Sequence, residues 1–169
     1  PFALPKLMTY QRPINRRSVA LGHRLSRGAL EFSAISRFMT KDVADIGRWH
    51  QVYNGVPLAS YTFQPRTAPD APLVFLGRVE EIKGPHLAIE AARRVGLPLV
   101  IAGNVPDEHR AWFEQTIAPQ IDGTNVVYIG PVDDARKNAL LGAARAFLMP
   151  ILWEEPFGIV MAEAMACGT

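Results

Sequence analysis

Residues 73–166 alternate between short apolar runs and helical patterns, and this alternation limits the fold more than any other feature of the chain. The apolar runs are continuous, which is typical of strands that are buried on both faces of a sheet. Such strands, each followed by a helix, predict an α/β fold with a parallel sheet covered on both faces. The predicted strands cover 73–76, 99–102, 126–129 and 146–149, and the predicted helices cover 84–96, 107–118, 134–142 and 158–166.

The first 66 residues are less regular and carry a different charge. They contain ten Lys or Arg against three Asp or Glu, whereas residues 67–169 contain eight against thirteen. A charge step of this kind predicts two modules with different surfaces. The patterns predict a basic helix over 14–30, a strand over 32–35, a helix over 37–46, a strand over 51–53, a turn over 54–57 and a proline-containing linker over 59–72.

Composition narrows the class of protein. A hydrophobic share of 49% excludes a disordered chain, and a single cysteine excludes a disulfide framework and favours a reducing compartment. No apolar run approaches the roughly 18 residues of a membrane span, so we expect a soluble, cytoplasmic protein. Because Pro1 is not an initiator and Thr169 follows directly on a helical pattern, we also expect the remainder of a longer parent chain to be missing.

The basic helix allows two interpretations. Its Arg16, Arg17, Arg24 and Arg27 predict either an ordinary charged surface or a peripheral contact with an anionic membrane or acidic partner. Nucleic-acid binding is not expected, because that stretch lacks aromatic residues interleaved with the basic ones.

Charged residues follow the first strong strand, at the sheet edge where open α/β sheets bind ligands. The segment Gly77–Gly84 contains Arg78 and Lys83 between its glycines. A planar guanidinium and an ammonium at this spacing can close on a diphosphate, and a solvated loop is the alternative. The segment lacks the ending of a Walker sequence, so a P-loop is not expected.

A second group surrounds the start of the last predicted helix. Glu155 precedes that helix, Gly158 stands at its start, and Glu163 lies inside it among apolar residues. The helix N-terminus can receive an anion, whereas the two carboxylates would face neutral hydroxyl groups. Because an unpaired buried carboxylate is costly, Glu163 either meets a ligand or lies on an exposed helix edge.

Two weaker groups follow the next strands. Gly103-Asn104 is predicted to form a turn where backbone could approach a ligand. Asp133, Asp134 and Lys137 could lie beside the edge of a nucleotide base. Taken alone, each of these two groups is better explained by an ordinary turn or a helix cap. The four histidines show no metal-ligand spacing, Glu80 and Glu81 are expected to be solvated, and Cys167 is expected to pack near a helix end.

Taken together and in this order, the four groups resemble the nucleotide-sugar-binding domain of retaining glycosyltransferases with the GT-B fold, specifically family 4. The family's Glu-x7-Glu pattern appears as Glu155 to Glu163, and its G-R-x4-K-G loop as Gly77 to Gly84. The turn 54–56 resembles the place where the N-terminal domain hands over to the C-terminal one, and 32–36 resembles a strand near the end of the N-terminal domain. The resemblance covers about residues 31–169.

The resemblance implies a GT-B fold with a Rossmann-like parallel sheet. Residues 1–64 would be the tail of the N-terminal, acceptor-side domain with the start of the linker, and 65–169 part of the C-terminal donor domain. Arg78 and Lys83 would hold the donor diphosphate and steady the leaving phosphate, Glu163 would accept the ribose hydroxyls, and Glu155 would contact the transferred sugar. The other implied nucleotide-sugar contacts are Gly77, Gly103, Val132, Lys137, Phe157, Gly158 and Ile159.

The implied reaction moves a hexosyl group from a nucleotide-diphospho-sugar, UDP- or GDP-linked, to an unknown acceptor with retention of configuration. No metal and no further cofactor are expected, because Arg78, Lys83 and the helix terminus supply positive charge. Without an acceptor site, the chain alone would be inactive. A GT-B nucleotide-sugar epimerase and a non-catalytic nucleotide-binding module are the alternatives.

Overall fold

The computed structural model describes residues 4–169, which form two compact units. One unit contains the chain up to Gly55 together with Glu155–Gly158, and the other contains Val56–Glu154 together with Ile159–Thr169. The assignment of residues 1–64 to an acceptor-side domain and of 65–169 to a donor domain stays a prediction.

The first unit contains a parallel sheet in the order β1-β2-β3. Its strands are β1 (Lys6–Tyr10), β2 (Leu30–Ala34) and β3 (Trp49–Gln51), and helix α1 (Arg16–Leu25) joins the first two. The side chain of Asn15 caps α1 by accepting hydrogen bonds from the backbone N–H groups of Arg17 and Ser18. The ring of Phe32 stacks on that of Trp49 at 4.9 Å in the core of this unit.

Three sequence predictions for the first unit were wrong, and one strand was missed. The predicted strand over 51–53 is β3, Trp49–Gln51, which begins two residues earlier because it pairs with Phe32–Ala34 of β2. The basic helix ends at Leu25 rather than at residue 30, because Arg27 and Gly28 both adopt positive φ. The predicted helix over 37–46 is only a 3-10 turn, Arg37–Thr40, followed by turns in which Val43 packs in the core with Phe32 and Trp49. Strand β1 was not predicted, because it is largely exposed and shows no clear apolar pattern.

The second unit contains the predicted parallel sheet, in the order β6-β5-β4-β7. The strands are β4 (Leu73–Leu76), β5 (Leu99–Ala102), β6 (Val126–Tyr128) and β7 (Ala146–Phe147), and every pair is parallel. The first two match their predicted bounds, whereas β7 stops two residues early. The predicted α/β fold class is confirmed.

Helices cover both faces of this sheet. They are α2 (Pro85–Val95), α4 (Asp134–Ala143) and α5 (Ile159–Cys167), and Asp133 caps α4 by accepting a 2.8 Å hydrogen bond from the backbone N–H of Arg136. The predicted helix over 107–118 is broken into 3-10 turns at Asp107–His109 and Ala118–Gln120, a single α turn, α3 (Arg110–Trp112), and a π turn at Phe113–Ile117. The wide π turn keeps Ile117 fully buried while the ring of Phe113 packs on Tyr128.

Alternate residues of β4 enter different cores, which explains the continuous apolar run. Phe75 packs with Ile89 of α2 and Ile101 of β5 on one face. Val74 packs with α4 and α5 on the other face, where Cys167 is fully buried as predicted. None of the helices within residues 4–169 has the length and apolar character needed to cross a membrane.

Candidate donor site

Three glycine turns meet at the carboxyl edge of the second sheet. The N–H of Gly77 donates to the carbonyl of Ala102 at 3.0 Å, and the N–H of Gly103 donates to that of Gly130 at 2.8 Å. Gly103 has φ +141°, and a Cβ there would lie 1.8 Å from the carbonyl oxygen of Gly77. Only glycine fits this close approach, so Gly77 and Gly103 are in direct backbone contact.

The loop after β4 carries Arg78 and Lys83 and is fastened at both ends. At its start the N–H of Val79 donates to the carbonyl of Asn104 at 2.9 Å. At its end Ile82 accepts a 2.8 Å hydrogen bond from the N–H of Leu152. The Nζ of Lys83 lies 4.8 Å from the centre of the Trp153 ring, which is cation–π distance.

Gly84 fixes the position of that end of the loop. Its φ is +74°, and a Cβ would lie 2.0 Å from the carbonyl oxygen of Pro150. The loop therefore packs backbone to backbone against the segment that follows β7.

Glu80 contradicts its prediction as a solvated residue. It is only 2% exposed, whereas Glu81 is exposed as predicted. The Nη2 atom of Arg78 lies 2.8 Å from its Oε1, and the Nε2 atom of His109 lies 3.2 Å from its Oε2. The sequence offered no signal for this burial, because His109 is 29 residues away and comes into contact only through the pairing of β4 with β5.

Glu163 lies on α5 and is 6% exposed, which excludes the exposed-edge interpretation. Its Oε1 accepts a hydrogen bond of 2.6 Å from the hydroxyl of Tyr61 and one of 2.8 Å from the Nζ of Lys137. Lys137 also lies 2.9 Å from Asp134. Tyr61 was missed as a site residue, since it stands at the start of a predicted linker.

Charge and burial shift two pKa values in this cluster. Burial, followed by the hydrogen bond to Glu163, raises the pKa of Tyr61. Burial on its own lowers the pKa of Lys137, but the hydrogen bonds to Glu163 and Asp134 outweigh it, and the pKa of Lys137 is raised. Lys137 therefore stays a cation beside the Glu163 carboxylate.

The remaining predicted site residues occupy three places. Val132 lies between Gly130 and the Asp133 cap, outside any helix or strand. Ile159 is the first residue of α5 and is half exposed. Glu155, Phe157 and Gly158 precede the helix, as predicted for Glu155, and belong to the first unit.

In the structure the backbones of Gly77 and Gly103 are in contact, and Lys137 donates a hydrogen bond to Glu163. Arg78 and Lys83 lie on one loop that is hydrogen-bonded at both ends. That all these residues share one donor site with Glu155 stays a prediction. Within residues 4–169, no group of three or more His, Cys, Asp or Glu side chains could hold a metal ion. The expectation that no metal is needed is untested.

The glycine turns, the cationic loop and the second parallel sheet all lie in a part of the chain that matches a known family. Residues 63–169 match the family model described as "Glycosyl transferases group 1". The chain belongs to the glycosyl transferases group 1 family.

Curated relatives resemble the chain over part of their length. A phosphatidyl-myo-inositol mannosyltransferase of Propionibacterium freudenreichii is 37% identical over 120 residues, covering 68% of this chain and 30% of the relative. A glycogen synthase of Mycobacterium tuberculosis is 35% identical over 126 residues, covering 70% of this chain and 30% of the relative. A D-inositol 3-phosphate glycosyltransferase of Pseudarthrobacter chlorophenolicus is 29% identical over 180 residues, covering 94% and 43%. This group 1 chain thus spans less than half the length of these relatives.

Solved structures support the predicted GT-B fold. HepE of Anabaena, crystallised in complex with UDP and glucose, matches with a TM-score of 0.75 at 18% identity, over 98% of this chain and 51% of that one. AviGT4, a glycosyltransferase involved in avilamycin A biosynthesis, matches with a TM-score of 0.66 at 28% identity, and the match covers 82% of this chain and 43% of AviGT4. The GT-B type of this group 1 chain is confirmed.

Proposed function

We propose that the chain carries the donor side of a retaining, family 4 glycosyltransferase that takes a hexosyl group from a UDP- or GDP-linked sugar. The observation that carries the proposal is the fastened loop at the carboxyl edge of the parallel sheet, with Arg78 near its start and Lys83 at its end. In sheets of this kind, ligands bind outside the carboxyl ends of the strands.

Arg78 and Lys83 have complementary chemistry for a diphosphate. The guanidinium offers a planar fork of donors, and the ammonium offers a compact point charge. Both cations would stabilise the transition state most strongly, because negative charge develops on the leaving phosphate during transfer. In this mechanism the positive charge comes from these two residues and from the N-terminus of α5, with no metal required.

We assign Glu163 to the ribose, whose hydroxyl groups would donate hydrogen bonds to its carboxylate. Tyr61 and Lys137 both donate to its Oε1, so the lone pairs of Oε2 are left for a ligand. We assign Gly103, together with Val132, to the surroundings of the base. We assign Glu155 to the transferred sugar and the backbone of Phe157, Gly158 and Ile159 to the phosphates.

Two further parts of the proposal concern the whole protein. The acceptor is taken up by parts of the parent protein beyond this donor side. Contact of basic α1 with an anionic membrane surface would use Arg17 and Arg24, because Arg16 is held by Asp45 at 2.6 Å.

Calorimetric titration of UDP, GDP and ADP into the chain tests donor binding. We expect UDP or GDP to bind, and Lys83→Met to weaken that binding about tenfold or more, since a hydrogen bond between charged groups contributes about 1.5–3 kcal/mol. The matched control is Arg94→Met, which removes an exposed cation of α2 paired with Glu90. Absence of nucleotide binding, or equal affinity of Lys83→Met and the wild type, would contradict the proposal.

A further inference from the structure

A buried carboxylate joins the start of the Arg78 loop to the segment that follows the neighbouring strand. We call Arg78, Glu80 and His109 the Glu80 cluster. Glu80 is 2% exposed, with Arg78 Nη2 at 2.8 Å from Oε1 and His109 Nε2 at 3.2 Å from Oε2. Arg78 itself is half exposed, so it is the member of the cluster that a ligand can reach.

The backbone holds Glu80 in place on both sides. The N–H of Val79 donates to Asn104 at 2.9 Å, and the carbonyl of Glu80 accepts from the N–H of Lys83 at 3.1 Å. A buried side chain on a fixed backbone has few alternative rotamers, whereas an exposed arginine has many. The carboxylate therefore sets the position of the guanidinium rather than the reverse.

The ion pair leaves the donors of Arg78 available. Nη2 lies 2.8 Å from Oε1, and the rest of the guanidinium belongs to a side chain that is 53% exposed. Because a guanidinium has five N–H donors, the contact with Glu80 places the group while other donors stay within reach of a ligand. Burying a carboxylate costs free energy that an ion pair repays only in part, so stability alone does not account for Glu80.

We propose that Glu80, steadied by His109, is a positioning residue that holds Arg78 ready for a nucleoside diphosphate. The inference rests on the proposed donor function, because it takes the diphosphate as the ligand of Arg78. Preorganising the guanidinium removes the conformational cost of ordering it when the ligand binds. Loss of the Glu80 charge should therefore weaken binding only when Arg78 is present.

A double-mutant cycle tests this coupling. UDP is titrated calorimetrically into the wild-type chain, Arg78→Met, Glu80→Gln and the double variant, with melting temperatures measured alongside. We expect binding to weaken about 5- to 10-fold in Glu80→Gln and to be no weaker in the double variant than in Arg78→Met. A purely structural Glu80 would weaken both backgrounds equally, and that result, or unchanged binding in Glu80→Gln, would overturn the proposal.

Two further variants accompany the cycle. Glu81→Gln, at the exposed neighbouring carboxylate, is the matched control and should bind UDP like the wild type. His109→Phe removes the second partner without touching the loop, and should weaken binding about 2- to 3-fold if His109 steadies Glu80. It also serves as the decisive variant if Glu80→Gln does not fold, and unchanged binding would then overturn the proposal.

Nuclear magnetic resonance separates this inference from the donor function. The Nε–H relaxation of Arg78, assigned with Arg78→Met, reports side-chain order without any ligand. We expect that order to fall in Glu80→Gln, and unchanged order would overturn the positioning role. A wild-type chain that binds neither UDP nor GDP would overturn the donor function and the ligand assigned to Arg78, while the relaxation data would still decide whether Glu80 positions it.

Discussion

The hydroxyl of Tyr61 donates a 2.6 Å hydrogen bond to Oε1 of Glu163, which lies 102 residues further along the chain. Two backbone contacts follow directly: the N–H of Thr62 donates to the side chain of Asn138, and that of Gln64 donates to the carbonyl of Cys167. The first part of the predicted linker is therefore fastened along α4 and α5. It buries the Glu163 carboxylate instead of running freely between modules.

Tyr61→Phe should lower the free energy of unfolding by about 1.5–3 kcal/mol, because it removes a hydrogen bond to a charged, buried acceptor. Urea denaturation measures this loss. Tyr53→Phe is the matched control, since Tyr53 is 65% exposed and its replacement should change the free energy of unfolding by less than about 0.5 kcal/mol. Equal effects of the two substitutions would show that the Tyr61 hydroxyl contributes nothing.

Lys137→Met should destabilise the fold by about 3 kcal/mol, since it leaves the Glu163 carboxylate buried without its cation. Denaturant unfolding again provides the measurement. Asp134→Asn removes the other partner of Lys137, an exposed one, and should cost less than about 1 kcal/mol. A larger loss for Asp134→Asn than for Lys137→Met would refute the inner pair as the stabilising one.

Gly103→Ala should be far more damaging than Gly130→Ala, although both glycines adopt positive φ. At Gly130 the added Cβ meets open space, so only backbone strain of about 1 kcal/mol is expected. At Gly103 it meets the Gly77 carbonyl oxygen at 1.8 Å, and we expect a loss of more than about 3 kcal/mol or a failure to fold. Thermal melts of the two variants distinguish these outcomes, and similar melting temperatures would contradict the close approach.

Asp122→Ala should reduce the loss of folding stability that the wild-type chain shows as the pH falls. The backbone N–H groups of Val126 and Thr124 and the side chain of Asn125 donate to Asp122 and hold its pKa well below the usual range. A lowered pKa means that the stabilisation is present above the unfolded value of about 3.9 and is lost as the pH falls through the folded value.

The melting-temperature gap between wild type and Asp122→Ala should therefore be full at pH 6 and shrink below about pH 4. Asp107→Ala, at an exposed carboxylate paired only with Arg110 in the described chain, should show little gap at either pH. A gap for Asp122→Ala that stays constant down to about pH 2 would argue against the carboxylate as the source of the stabilisation.

Local sequence patterns were sufficient to predict an element where the signals that begin and end it lie within the element itself. β4, α2 and β5 appear at or close to their predicted bounds because an apolar run, a Pro85 start and a Gly96 stop act locally. Prediction failed at 37–46, where turns place Val43 and Ile46 in one core with Trp49 of β3, a residue outside the segment. It failed again at 107–118, where burial of Ile117 accompanies a π turn.

By itself, the sequence determined the parallel α/β class, the position of the glycine turns and the Arg78–Lys83 loop, because spacing along the chain sets which residues follow each strand. Only the tertiary structure decided that Glu80 is buried between Arg78 and His109, and that Tyr61 and Lys137 both donate to Oε1 of Glu163. The physical reason is that a carboxylate can be buried only where distant donors converge, and strand order and helix packing bring those donors together.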